Sequence, residues 1–118
     1  DDGYDFVYIH VEAPDECGHR GEVENKVRSI EYIDKRILKT VYEYLSAGND
    51  DYRILILPDH PTPLELRTHT GDPVPFMIYY SDKRYDGVAS LTEACAADKN
   101  LYYESGTSLI SLMIKGKA

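Results

Sequence analysis

The chain is poor in the features that would take it into a membrane or onto nucleic acid. It has no apolar run near the roughly 20 residues that span a bilayer. Its first residues, Asp1-Asp2-Gly3, are acidic where a secretory leader is basic. Positive charge is scarce: 13 Lys and Arg against 21 Asp and Glu give a formal net charge of -8. That argues against a nucleic-acid backbone or an anionic membrane as partner, since both call for a basic surface. Cysteine is nearly absent, and Cys17 and Cys95 have neither metal-type nor redox-type spacing. Free thiols in a reducing, cytoplasmic compartment are expected. An initiator Met is also missing, so the chain is expected to be a piece of something longer.

What is present fits a water-soluble globular protein, with 42% hydrophobic and 29% charged residues over 118 positions. That length predicts one core and one domain. The acidic balance still allows phosphate esters as ligands, provided a metal ion or an arginine cluster reverses the field locally.

Taken in order, Phe6 to Val11 is rich in β-branched and aromatic residues and predicts a strand, stopped at Glu12-Ala13-Pro14. Residues 15–21 hold two glycines and predict a loop or a single turn. Val23, Val27, Ile30, Ile33, Ile37, Val41 and Leu45 recur at helical steps, which predicts a long helix with one buried stripe, ending before Ala47-Gly48-Asn49. Arg53 to Leu57 predicts a second strand and Phe76 to Tyr80 a third. Ser90-Leu91-Thr92-Glu93 has capping-box spacing and predicts a short helix through Ala97. Leu101 to Tyr103 suits a short strand, and Leu109 to Ile114 a final helical turn or two. Strand, helix, strand in this order implies a right-handed parallel crossover, and so an α/β fold with a mainly parallel sheet.

The chemistry concentrates after the second strand, in Leu57-Pro58-Asp59-His60-Pro61-Thr62-Pro63 and the stretch through Pro75. Five prolines stiffen this loop, which carries Asp59, His60 and His69. A second polar loop carries Asp15 and His19, four apart and on one face if the segment turns helically. In an open parallel sheet both loops would leave the carboxyl edge, where ligands bind. Each residue has a plain alternative: a capping aspartate, an exposed or backbone-bonded histidine. Together they make a set of two carboxylates and three imidazoles, which suits Zn, Mn or a similar ion. The set exceeds what one catalytic metal needs and predicts two metals, of the kind that clamp both oxygens in phosphoryl transfer. Glu12, Glu16 or Glu65 could accept the second ring N–H of a ligating histidine, although each is more ordinarily a solvated acid. His10 suits a core or supporting position. Arg20 and Arg67 flank the motifs and could face substrate phosphate, with solvation the more ordinary role.

Three motifs resemble those of cofactor-independent phosphoglycerate mutase, archaeal type, in the alkaline phosphatase superfamily. They are Ala13-Pro14-Asp15-Glu16-Cys17-Gly18-His19, Leu57 to Pro63, and Arg67-Thr68-His69-Thr70-Gly71-Asp72-Pro73-Val74-Pro75-Phe76. The resemblance runs from about Asp5 to Tyr80 and thins from Ser81 onward. It implies a three-layer, mainly parallel sheet with flanking helices, part of an alkaline-phosphatase-like domain. It implies that Asp15, His19 and His69 bind one divalent metal and that Asp59 and His60 bind the second, the ions being Mn, Zn or Mg, with no bisphosphoglycerate cofactor. In such enzymes a serine near the N-terminus carries the phosphoryl group between the 2- and 3-positions of glycerate. That serine, the aspartate that accompanies it and the inserted substrate domain have no counterpart in residues 1–118, which correspond to the C-terminal part of the metal-binding domain. This chain alone is therefore expected to be inactive. Its implied partner is a small phosphorylated acid, and self-association through an exposed sheet edge is expected. Three alternatives stay open: a related phosphatase or phosphotransferase acting on another phosphate ester or phosphonate, a non-catalytic metal- or partner-binding domain, and motifs that serve packing alone.

Overall fold

Proline is tolerated in the first turn of a helix, where its missing N–H would have had no partner. Pro14 takes that place in α1, Ala13–Arg20, with Asp15 and Glu16 in the first turn and His19 and Arg20 in the last, as the helix dipole favours. Gly21 closes the helix at φ 68°, a left-handed conformation suited to glycine. The segment expected to be a loop or single turn is thus an eight-residue helix. Of its two glycines one is the terminator, and the other, Gly18, is buried inside the helix.

The computed structural model describes residues 2–116. The chain forms two compact units where one core was expected. The first holds the chain up to Tyr44 together with Thr62–Thr70, and the second holds Leu45–Pro61 together with the chain from Gly71 onward.

In the first unit α1 packs on α2, Val23–Tyr32. A π-helical stretch, Ile33–Leu38, comes next, and then α3, Lys39–Ser46, whose last two residues are counted with the second unit and which ends where the sequence predicts. The apolar stripe is only partly covered. Val23, Val27 and Ile30 are more than half exposed, whereas Ile33, Ile37 and Val41 are half-buried. A π turn takes up an extra residue and rotates the helical turns after it by about 100°. A pattern continuous at 3.6 residues per turn is therefore split between two faces. The strand expected at residues 6–11 is not a strand. Its propensity is sound, but a strand needs a ladder partner, and among the described residues none pairs with it. Val7 and Tyr8 are 69% and 73% exposed.

In the second unit β1, Arg53–Ile56, pairs antiparallel with β2, Met77–Tyr80, in the register Arg53 with Tyr80 through Ile56 with Met77. This corrects the mainly parallel sheet, and among the described residues the parallel crossover is absent because the strand expected at residues 6–11 does not form. The sheet of the described residues has two strands, and two helices come after it in the chain. The first, α4, is Glu93–Asp98, capped by Thr92, whose hydroxyl accepts from the Cys95 N–H at 3.1 Å. The start lies two residues beyond the expected Ser90 because Thr92 has the extended backbone a cap requires. The second, α5, is Thr107–Lys115 and packs on β1. Arg53 satisfies its last turn, Nη1 donating to the carbonyls of Met113 at 2.8 Å and Ile114 at 3.0 Å. Tyr80 and Leu109 are the buried apolar side chains of this unit. Burial pushes the Tyr80 phenol above its ordinary range, with the Arg53 guanidinium opposing. Leu101 to Tyr103 forms no strand; the Tyr103 ring meets Phe76 edge-on, centroids 5.8 Å apart. The chain is a mixed α/β protein, and no helix among the described residues is long and apolar enough to cross a membrane.

Candidate metal centre

Four residues apart on α1, Asp15 and His19 project from one face of the helix. The second segment of this unit, Thr62–Thr70, lies against that face. Pro63 accepts from the backbone N–H groups of Leu66 at 3.1 Å and Arg67 at 2.8 Å, so the chain turns tightly. Arg67 adopts φ 52°, uncommon for a residue with a side chain. Its carbonyl accepts from His19 Nδ1 at 2.9 Å.

That bond fixes the tautomer. A carbonyl oxygen can only accept, so Nδ1 carries the hydrogen and the neutral ring keeps its lone pair on Nε2. His19 Nε2 stands 3.1 Å from His69 Nε2 and 3.4 Å from Asp15 Oδ2, and His69 Nε2 stands 3.3 Å from Asp15 Oδ1. Two ring nitrogens at this separation repel unless a proton or a metal ion is shared between them. Ligand atoms at neighbouring corners of a tetrahedral ion bound at about 2.0–2.1 Å lie about 3.3 Å apart. The separation of the two ring nitrogens, and that of each from its own Asp15 oxygen, fall around that value, so this donor set, two imidazoles and a carboxylate, fits one divalent ion. The acceptor for the second N–H of His19 is a backbone carbonyl; the glutamates considered from the sequence do not take that part.

Asp59 and His60 belong to the second unit. Asp59 Oδ1 accepts from the His60 backbone N–H at 3.1 Å, and Oδ2 lies 3.5 Å from His60 Nε2. The two side chains face one another as a carboxylate–imidazole pair, which offers two donors to an ion. His10 is neither in a core nor against the first donor set: its ring is half exposed, stacked on Tyr8 and 3.9 Å from Glu12. Arg20 pairs with Glu16 at 3.4 Å, exposed on both sides. The Arg67 guanidinium lies over Gly21, where a Cβ would come within 2.7 Å of Nε. Both cysteines are free thiols. Hydrogen bonds from the hydroxyls of Thr92 and Ser90 lower the Cys95 thiol from its ordinary value.

Two residues that surround the first donor set drew no attention in the sequence: Thr62, whose hydroxyl donates to Asp15 Oδ1, and Lys26, whose Nζ donates to the Thr62 carbonyl at 2.6 Å; Arg67, considered there for its guanidinium, acts through its backbone carbonyl. Only the position of Thr62 inside the proline-bounded motif marked it.

A family model described as the metalloenzyme superfamily matches residues 1–114. The chain is homologous to 2,3-bisphosphoglycerate-independent phosphoglycerate mutases. It is 42% identical over 112 residues to that of Methanosarcina mazei, covering 94% of this chain and 28% of the relative. It is 45% identical over 112 residues to that of Methanothrix thermoacetophila, covering 95% and 29%. To a probable enzyme of this name from Geobacter sulfurreducens it is 42% identical over 114 residues, covering 96% and 28%. The chain thus spans between a quarter and a third of the length of these relatives. No solved structure matches it.

Proposed function

The chain belongs to the metalloenzyme superfamily, and from that premise we propose that it supplies the metal-binding side chains of a phosphoryl-transfer enzyme acting on a small phosphorylated acid. Asp15, His19 and His69 hold one divalent ion, and Asp59 and His60 contribute to a second. The whole protein is a phosphoglycerate mutase, as the names of the relatives suggest, and the resemblance of the motifs implies transfer between the 2- and 3-positions through a phosphoserine. Its catalytic domain is of the alkaline-phosphatase type, and the serine and the substrate-clamping domain lie outside residues 1–118.

One observation carries the reading. Two histidine Nε2 atoms and the Asp15 carboxylate converge at tetrahedral-edge distances, with the His19 tautomer already set by the Arg67 carbonyl. When bound, a divalent ion supplies Lewis-acid stabilisation of charge on a transferring phosphoryl group. The protein's own part is orientation. The α1 face spaces Asp15 and His19, the left-handed turn at Arg67 aims a carbonyl at the ring, and His69 arrives from the same segment.

Calorimetric titration of the chain with Zn2+ and Mn2+ tests this. Binding is expected, with His19→Ala, His69→Ala and Asp15→Asn each weakening it at least tenfold. Absence of binding by the unsubstituted chain overturns the metal reading. For the substrate, the protein in its full length is expected to interconvert the two phosphoglycerates without added bisphosphoglycerate. Release of free phosphate in that assay would replace the mutase reading with a phosphatase.

A further inference from the structure

Thr62 is the buried polar side chain of the first unit, only 5% exposed, and the proposed function gives it no task. It is held from three sides. Its hydroxyl donates to Asp15 Oδ1. Its carbonyl accepts from the Lys26 ammonium at 2.6 Å. Beneath it lies Gly18, where a Cβ would come within 2.7 Å of the Thr62 carbonyl oxygen and 2.9 Å of its Cγ2. Proline stands on either side in the sequence, at 61 and 63, fixing φ at both neighbours. A hydroxyl held this firmly beside a carboxylate does more than fill space. It decides how the carboxylate is turned.

We propose that Thr62 is a positioning residue for the metal centre, holding Asp15 in the orientation that presents Oδ2 beside His19 Nε2 and Oδ1 beside His69 Nε2. Oδ1 receives the hydroxyl hydrogen and stands 3.3 Å from His69 Nε2, while Oδ2 stands 3.4 Å from His19 Nε2, so the hydroxyl fixes how the carboxylate is set against both imidazoles. Lys26 acts one step further out, by pinning the backbone from which the hydroxyl projects. Hydrogen-bonded supports of this kind typically change metal affinity by about 10- to 100-fold. The inference rests on the metal reading of Asp15, His19 and His69.

Thr62→Val keeps the shape and removes the hydroxyl, and Thr62→Ser keeps the hydroxyl. Zn2+ affinity is read by calorimetry on the whole chain, and coordination by the visible absorption of the Co2+-loaded chain. Thr62→Val is expected to bind Zn2+ about 10- to 100-fold more weakly and to give altered Co2+ bands, as the released carboxylate turns away from its setting against the two imidazoles. Thr62→Ser is expected to restore both, a rescue that a purely space-filling role does not predict. Thr62→Val with unchanged affinity and spectrum overturns this inference and leaves the metal reading standing. A chain that binds neither ion before any substitution overturns both. Should Thr62→Val not fold, the Thr62 hydroxyl proton of the unsubstituted chain decides by NMR. A slowly exchanging resonance that shifts on adding Zn2+ supports the inference, and rapid exchange with and without the ion overturns it.

Discussion

At the scale of single residues, the first donor set depends on close backbone approach as much as on its ligands. Gly18 shows the balance of effects. Alanine there gains about 1 kcal/mol of helix propensity over glycine. The new Cβ, however, would sit 2.7 Å from a carbonyl oxygen of the chain itself, which cannot swing aside as a side-chain tip can. Overpacking of this kind costs about 1–3 kcal/mol, so the net effect is destabilising. Gly18→Ala is therefore expected to lower the denaturation midpoint and to weaken Zn2+ binding, because the displaced backbone carries Thr62 away from Asp15. A variant as stable as the parent, with unchanged affinity, would show that the approach is not needed. The two histidines and the aspartate of the set were legible in the sequence as candidate ligands by type and spacing, and their grouping was what the family resemblance implied. Thr62, Lys26 and the Arg67 carbonyl were not, since their roles come from contacts 36 to 48 positions apart in the chain.

At the scale of elements, helices were more legible than strands. The 3.6-residue pattern and the Ala47-Gly48-Asn49 stop located the helical run over residues 23–46, because both the signal and the hydrogen bonds of a helix are local. The π stretch within it has no such signal, and it is what spoils the single stripe. Strand content was overestimated at residues 6–11 and 101–103, where composition was right and no partner is present among the described residues. Where strands do pair, Tyr80 at the end of β2 gives a pH dependence whose sign is set by burial. Its phenol titrates above the ordinary value of 10.0 in the folded chain and at the ordinary value when unfolded. The stabilising contribution is therefore fully present below pH 10 and is lost as pH rises through the folded value. Chemical denaturation measured across this range is expected to show an alkaline decline, reduced in Tyr80→Phe. An identical decline in that variant would assign the effect to other groups.

At the scale of the whole molecule, many large apolar side chains are exposed and few are buried among the described residues. Phe6, Val7, Tyr8 and Ile9 are exposed in the first unit, and Met77 and Tyr79 are exposed in the second. In a two-stranded sheet each strand is also an edge, with N–H and C=O groups directed outward. Concentration-dependent association is the expected result in sedimentation experiments. Tyr79→Lys, which places a charge on an edge strand, is expected to shift the distribution toward the single chain. A single chain at every concentration would sink this prediction.

What the sequence determined by itself was chemical: which side chains can ligate a metal, that Asp15 and His19 share a helical spacing, and which family the motifs resemble. These are local properties, carried by residue type and short separations. What only the tertiary structure decided was convergence. A proline-bounded segment 50 positions from His19 returns to α1. A left-handed Arg67 directs a carbonyl at one ring nitrogen, and a buried threonine turns a carboxylate. Each of these depends on where distant backbone lies, and no periodicity encodes that. The strand pairing has the same origin, since antiparallel and parallel ladders draw on the same residues and differ only in which chain comes alongside.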